Sequence, residues 1–510
     1  MNRKTYLFLF LAIFNVVFHL LFYKNLEFHR DEMFYYVYGK HPAAGYATTP
    51  PLLGLISFLL IKIAGFSLFA VRFVPALFSG IMVFIVAKMI KELGGTTPAR
   101  IMGTVAFILA PFAMRTYFLY MPVFLDVFFW SLALLFLLRY FNRNEPADLI
   151  WLGITGGLGM LNKYLIALLF FLILVFILFT KHKKIYTRKH FYFGILAGLI
   201  LFMPNLVWQI RMGLPVIHHM AELDRTQLAH VNRIDFLVDQ LTMPFPSTLF
   251  TVAGIIFLLT SKKMKEYRVT GWITLFVIII LMTVRGKSYY TLGVFPFLIA
   301  AGSVFWDSLL RRNYLKISFM ALLLLIAWFI LPINLPVYKP EGLVWYFREM
   351  EDKTGMTVGR RFEDGTIHSL PQDYADMIGW NELVEVTSKT YNAITDKEAT
   401  LIYCENYGQA SAIEVLGSKL GLPVPFSFND SYLYWLHVPL KTEITTLIYI
   451  NDEPGDDIRE LFADIEKTGQ ITNINSREFG TSVYLCRNPR RSFNQFWNTS
   501  VQAVREKVKQ

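Results

Sequence analysis

The sequence predicts an all-α polytopic membrane domain followed by a soluble α/β domain, and three observations carry that reading. The 510 residues are 55% hydrophobic and only 17% charged, with a mean hydropathy of +0.43, a composition outside the soluble globular range. Apolar runs near the length that crosses about 30 Å of hydrocarbon recur from residue 5 to residue 332. Beyond 332 the texture changes abruptly to short apolar runs divided by polar stretches.

Eleven spans are expected, at 5 to 23, 67 to 90, 100 to 118, 124 to 141, 149 to 162, 164 to 180, 191 to 208, 245 to 260, 268 to 285, 289 to 305 and 315 to 332. The first follows the basic start MNRK and ends in Phe, His and Tyr with no small-residue cleavage site, so it reads as an anchor. WLGITGGLGMLNKYLIALLFFLILVFILFT reads as a hairpin rather than one long helix. RYFNRN before it and KHKKIYTRKH after it both belong in the cytoplasm by the positive-inside rule, which puts Lys163 at an outer turn. The same rule places KMIKEL to Arg100, SKKMKEYR and LLRRNYLK inside with the amino terminus. Residues 24–66, 209–244 and everything after 332 fall outside. The formal charge of +11 is then topology and leaflet electrostatics, and nothing supports a nucleic-acid partner.

The chain divides into a membrane domain, 1–332, and an extracytoplasmic α/β domain, 333–510. In the latter, LIYCEN, TTLIYIND and SVYLCRN read as strands, and helical patterns lie around 408–420, 455–467 and 493–507. Cys404 and Cys486 each end a strand on the oxidising side. Two buried thiols are the favoured reading, with a disulfide open if the strands are neighbours. Neither metal-type Cys or His spacing nor an internal repeat is evident, and the tail shows no evident catalytic set.

Chemistry is expected where charge persists beside lipid. EFHRDEMFYYVYGKHPAAGYATTPPLLGLISFLL follows the first span and carries Asp31 and Glu32 side by side. Its aromatics, its Pro50-Pro51 step and its short apolar stretch suggest amphipathic helices on the outer leaflet. Asp126, in YMPVFLDVFFW, opens the fourth span at the same depth, where an acid among Leu, Val and Phe needs a partner or a polar cavity. Lys163, and Arg285 and Lys287 in VRGKSYYTL beside Tyr289 and Tyr290, run against the positive-inside trend. Binding an anionic phosphate explains them as a group, and snorkelling to lipid phosphates is the alternative for any one of them.

HRDE followed by GYATTPPL, then FLDVFFW, GLGMLNKY and GKSYYTLGVFPFLIAAG, resembles the GT-C glycosyltransferases, in the branch of protein O-mannosyltransferases and the lipid A aminoarabinose transferase. LPQDYADMIGW, NYGQASAIEVLG and LGLPVPFSFNDSYLYW look like the carboxy-terminal region of bacterial relatives of glycosyltransferase family 39. The resemblance implies a multi-pass protein of the bacterial inner membrane. It makes Asp31 the catalytic loop acid, Glu32 its neighbour and Asp126 the second membrane-edge acid, with inversion at the anomeric carbon. Where such proteins commonly carry His or an acid before the proline step, this chain has Thr48-Thr49-Pro50-Pro51. If that position contributes a metal ligand in relatives, this chain lacks it, and His29 and His41 nearby read more readily as structural.

The expected reaction moves a sugar from a polyprenyl-phosphate carrier to an acceptor hydroxyl on a glycan, lipid or protein. Asp31 would act as base, with Glu32 and Asp126 orienting it or the acceptor. Lys163, Arg285 and Lys287, with Tyr289 and Tyr290, would bind the donor. A monophosphate leaving group can be met by protein cations, so no cofactor is required, although a divalent cation is compatible. The competing class is a transporter or lipid flippase. Such proteins tend to hold ionisable residues near the midplane and to show repeated halves, whereas here the acids lie at the rim and no repeat is found.

Overall fold

The structure, a computed structural model, describes residues 3–226, 228–362 and 365–509. Each of the eleven expected apolar segments is helical, and local chemistry sets the ends. The series runs α1 (Arg3–Leu20), α2 (Arg30–Val37), α3 (Leu52–Ala64), α4 (Leu68–Glu92), α5 (Thr97–Leu109), α6 (Pro111–Thr116), α7 (Pro122–Arg143) and α8 (Pro146–Met160). It continues with α9 (Ile166–Leu178), α10 (Lys189–Arg211), α11 (Pro215–Thr226), α12 (Arg233–Thr242), α13 (Thr248–Thr260), α14 (Arg268–Thr283), α15 (Phe295–Leu309) and α16 (Asn313–Phe329). Ser67 and Thr96 cap α4 and α5 by accepting from the amides of Ala70 and Ala99, and proline opens α7 and α8.

The expected span 100–118 is broken. Pro111 forces the preceding Ala110 into an extended conformation (φ −74°, ψ 125°), so the helix stops at Leu109 and restarts as α6. Among the described residues, five helical stretches can cross a membrane by length and composition: Leu68–Glu92, Pro122–Arg143, Lys189–Arg211, Lys262–Thr283 and Ser288–Leu309. A sixth, Ile166–Leu178 with Lys181–Thr187, bends by 111°. A count of eleven crossings is therefore larger than helix length alone supports. The Lys163 turn does separate two helices, α8 and α9, as the hairpin reading requires.

The tail holds α17 (Leu331–Asn334), α18 (Pro340–Thr354), α19 (Gln372–Ala375), α20 (Trp380–Asn392), β1 (Thr400–Cys404), α21 (Tyr407–Val415) and α22 (Tyr432–Trp435). After these come β2 (Thr446–Asn451), α23 (Asp456–Leu461), β3 (Phe462–Gln470), β4 (Ser482–Pro489) and α24 (Phe493–Lys509). The sheet order is β1-β2-β4-β3, with β1 and β2 parallel and the other pairs antiparallel. The helical expectation for 455–467 fails after Leu461: from Phe462 the chain is an edge strand, with Ile465 opposite Cys486. Pairing with β4 outweighs a local pattern that fits a helix. Cys404 and Cys486 are buried and free. They lie on β1 and β4 with β2 between them and three register positions out of line, so two strand spacings, about 9.5 Å, is the least separation of their backbones, beyond disulfide reach.

The segment 24–66 is less superficial than expected. α2 packs against both α3 and α21, and Met33, Tyr36 and Val37 are fully buried, whereas α3 exposes Leu55, Leu59 and Ile63. The Glu27 and Arg30 amides donate to the carbonyls of Met377 and Asp376, both at 3.1 Å, and the Tyr374 hydroxyl donates to Pro332 O at 3.0 Å. One apolar core accordingly runs from Phe8 to Leu485. A second, smaller one lies under α24 around Phe493, Trp497 and Val501.

Close helix packing in the membrane region relies on glycine. A Cβ at Gly153 would overlap the backbone of Gly194, and one at Gly157 or Gly198 would meet backbone of the opposite helix. α8 and α10 thus touch backbone to backbone, which replaces the hydrophobic drive that lipid removes. Gly153→Val should separate the pair, at a cost of about 1–3 kcal/mol for forced overpacking. Thermal melting of the detergent-solubilised protein checks this, and an unchanged midpoint would contradict the contact.

Candidate active site

The local geometry begins with a charge that is entirely enclosed. Glu32 is 0% and Arg72 1% exposed, and Arg72 Nη2 lies 3.0 Å from Glu32 Oε2. The guanidinium also donates to the carbonyls of Tyr23 and Glu27, both at 2.6 Å, and its face covers the Phe118 ring at 4.8 Å. The Glu32 carboxylate accepts from the amides of His29 and Tyr120, both at 3.0 Å. The His29 contact closes a capping box at the start of α2, where the His29 side chain in turn accepts from the Asp31 amide at 3.1 Å.

Asp31 turns the other way. Its side chain is 30% exposed and its Oδ1 lies 3.8 Å from Arg30 Nε. The Tyr407 hydroxyl, at the first position of α21, donates to the same oxygen at 2.8 Å. Arg30 Nη2 donates to that hydroxyl, also at 2.8 Å, and its guanidinium covers the Tyr407 ring at 4.9 Å. Burial opposes the Arg30 cation, whereas the nearby carboxylates of Asp31, Asp376 and Glu478 favour it, and the guanidinium is held above its ordinary range. Burial and the neighbouring Asp31 push the Tyr407 phenol well above its usual range, so it stays a donor.

Asp430 faces the same group. Desolvation raises its carboxyl to about 6, with the Asp31 charge adding to the rise and the Ser431 and Thr48 hydroxyls opposing it. Its Oδ1 accepts from the Ser431 amide at 2.6 Å and hydroxyl at 2.8 Å, while Ser431 Oγ accepts from the Ala47 amide at 3.0 Å.

The second group surrounds Asp126, which is 4% exposed and accepts from Trp130 Nε1 at 3.0 Å. Lys163 is the cation within electrostatic reach of it, and Lys287 acts on Lys163 in turn. The Lys163 ammonium faces the rings of Tyr290 at 4.5 Å and Tyr289 at 5.0 Å. Arg285 stands apart. It is exposed, holds a left-handed backbone (φ 55°) and donates to Ala229 O at 3.3 Å.

Asp31 and Asp126 neither pair nor hydrogen-bond with each other, but residues 44–52 touch both neighbourhoods. The Ala47 amide reaches Ser431, Ala44 O accepts from Asn205 at 2.7 Å, and the Leu52 amide donates to Leu161 O at 2.9 Å, two residues before Lys163. Tyr164 donates to the same Asn205 at 2.7 Å. Among the described residues no three His, Cys, Asp or Glu side chains gather as a metal would require. His29 lies 3.9 Å from Asp376, and His41 stacks on Trp435 at 4.0 Å beside Glu414. Reasoning from sequence missed Arg30, Arg72, Tyr407 and Asp430. The signal for the last two was the set of tail motifs, since NYGQASAIEVLG contains Tyr407 and FSFNDSYLYW contains Asp430.

Residues 48–208 match the family model described as dolichyl-phosphate-mannose-protein mannosyltransferase, a stretch that includes Asp126 and Lys163. Among curated proteins none matches the chain. Two solved structures of ArnT from Cupriavidus metallidurans align over 94% of this chain and 97% of theirs. The one bound to undecaprenyl phosphate has a TM-score of 0.61 at 13% identity, and the apo form 0.60 at 12%. An Archaeoglobus fulgidus oligosaccharyltransferase aligns over 86% of this chain and 67% of its own, with a TM-score of 0.46 at 13% identity.

The raised Asp430 carboxyl has a measurable consequence. A carboxyl that ordinarily titrates near 3.8 and here near 6 favours folding when protonated, and that contribution is lost as pH rises through this interval. Asp430→Asn keeps an acceptor oxygen without the charge. It should raise the melting temperature relative to the parent above about pH 6 and leave it unchanged below about pH 4, as melts across a pH series would show. The chain thus shares its fold with the ArnT structures over nearly its whole length, and within it residues 48–208 match the mannosyltransferase family model.

Proposed function

We propose that the protein transfers a sugar from a polyprenyl-phosphate carrier to an acceptor hydroxyl at the outer face of a bacterial inner membrane, with inversion. The observation that carries this is Asp31, a part-exposed carboxylate held by Arg30 and Tyr407 while its neighbour Glu32 is locked inward. The family model over 48–208 and the likeness to a structure carrying undecaprenyl phosphate support the choice of donor.

In this reading Asp31 takes the proton of the acceptor hydroxyl, and the acceptor oxygen bonds to the anomeric carbon. The bond from that carbon to the phosphate oxygen breaks, and the lipid phosphate leaves with the electron pair. Lys163 and Lys287 meet the developing charge, with Arg285 a further cation on the same connection and Tyr289 and Tyr290 framing the ammonium. Asp126 holds Lys163 in place, and Glu32 sets the pose of α2. The acceptor belongs to the hydroxyl-bearing glycans, lipids or proteins.

Asp31→Asn should preserve folding and donor binding while transfer falls at least about a hundredfold, the scale of a lost general base. The assay follows release of free lipid phosphate by mass spectrometry from a panel of undecaprenyl-phosphate sugars. Near-normal transfer by a stable Asp31→Asn protein removes the assignment. Glu32→Gln and Asp126→Asn, run in parallel, show whether another acid is the base.

The orientation is tested separately. With the native thiols buried, a cysteine at Asp224 should react with an impermeant reagent from outside and one at Lys183 should be protected. The reverse pattern inverts the topology.

A further inference from the structure

A cavity of about 710 Å³ lies where the end of α1, the turn after α2, the α3–α4 junction and the turn after α21 converge. Lys24, Lys40 and Lys419 reach it from three separate stretches of chain, and none of its lining residues is acidic. All three lysines are exposed. Lys24 and Lys40 lie beside the rings of Tyr23 at 5.4 Å and Phe66 at 5.5 Å, contacts that leave their charge intact. Leu68 and Phe69 line the cavity with the first turn of α4, where Ser67 takes the Ala70 amide and the positive end of the helix dipole favours an anion.

This cavity is not the Asp31 site. Tyr36 ties α2 to the cavity's lining by donating to Gly65 O and accepting from the Ser67 amide, whereas Asp31 faces Tyr407. Residues five apart on a helix point about 140° away from each other, so the two sites lie on different sides of α2. The cavity also has an apolar continuation. Ile63 is 82% and Phe69 47% exposed, and Leu59 and Phe73 continue the two faces along α3 and α4. Cations at one end and bare apolar helix faces at the other match a molecule with an anionic head and hydrocarbon tails. A soluble anion would leave the apolar half unused.

We propose that this groove binds the phosphate-bearing headgroup of an anionic phospholipid, with its chains along α3 and α4. The proposal does not rest on the transferase reading, because binding is measured without turnover. The full chain in detergent is titrated with a short-chain phosphatidic acid, the matching phosphatidylcholine and inorganic phosphate, and complexes are read by native mass spectrometry. Phosphatidic acid should bind saturably, resist competition by the other two, and keep its affinity in Asp31→Asn. The triple variant Lys24→Ala, Lys40→Ala, Lys419→Ala should bind it at least about tenfold more weakly with an unchanged melting temperature. Should the triple variant not fold, Lys40→Glu alone gives the same comparison. Equal affinity in the variant, or equal binding of phosphatidylcholine, overturns the proposal. Competition by inorganic phosphate at matched concentration also overturns it, in favour of a soluble-anion site.

Discussion

The buried pair of Arg72 and Glu32 is the constraint on which the rest of the site depends. Removing two charges from water is expensive, and the pair is tolerated because other groups satisfy both partners: two carbonyls of the α1–α2 connection for the guanidinium, two amides for the carboxylate. These contacts tie the exit of α1, the start of α2, the body of α4 and the Tyr120 turn into one unit. Since adjacent residues on a helix point about 100° apart, fixing Glu32 inward leaves Asp31 facing out. One acid of the pair is thus spent on orientation so that the other can be presented.

The presentation is completed from far away in the chain. Tyr407, Asp430 and Asp376 all come from the tail, and the tail shares a continuous apolar core with the membrane helices. The Lys163 group is built differently. Its cation rests on aromatic faces and on a tryptophan-bound acid, with residues 44–52 bridging it to the Asp31 neighbourhood. An acid among hydroxyls and a cation among rings give the two sides opposite electrostatic character.

Much of this was legible because it depends on local signals. Long apolar runs specify helices wherever they occur, and the adjacent acids and the out-of-place basic residues stood out as charges with no reason to sit beside lipid. Other features depend on partners that local sequence does not show. Nothing near Phe462 announces that β4 will pair with it, and nothing near Arg72 indicates that a cation in an apolar helix answers Glu32 forty residues earlier. Pro111 could have been read as a break, but the surrounding hydrophobic run masked it. Tyr407 and Asp430 were visible only as parts of motifs whose chemistry appears once the tail folds against α2.

The distance along the chain between Asp31 and Tyr407 has a consequence for biogenesis. The two hydrogen-bonded residues are 376 positions apart, so during synthesis the acid leaves the ribosome long before its hydroxyl partner exists. Domains tend to fold as units as they emerge, and here the unit that finishes the site is the last to appear. Until the tail docks on α2, Asp31 has neither the phenol that holds it nor the wall that encloses it. In the proposed mechanism an incomplete chain is therefore unarmed, and assembly of the carboxyl-terminal third is the step that completes the site.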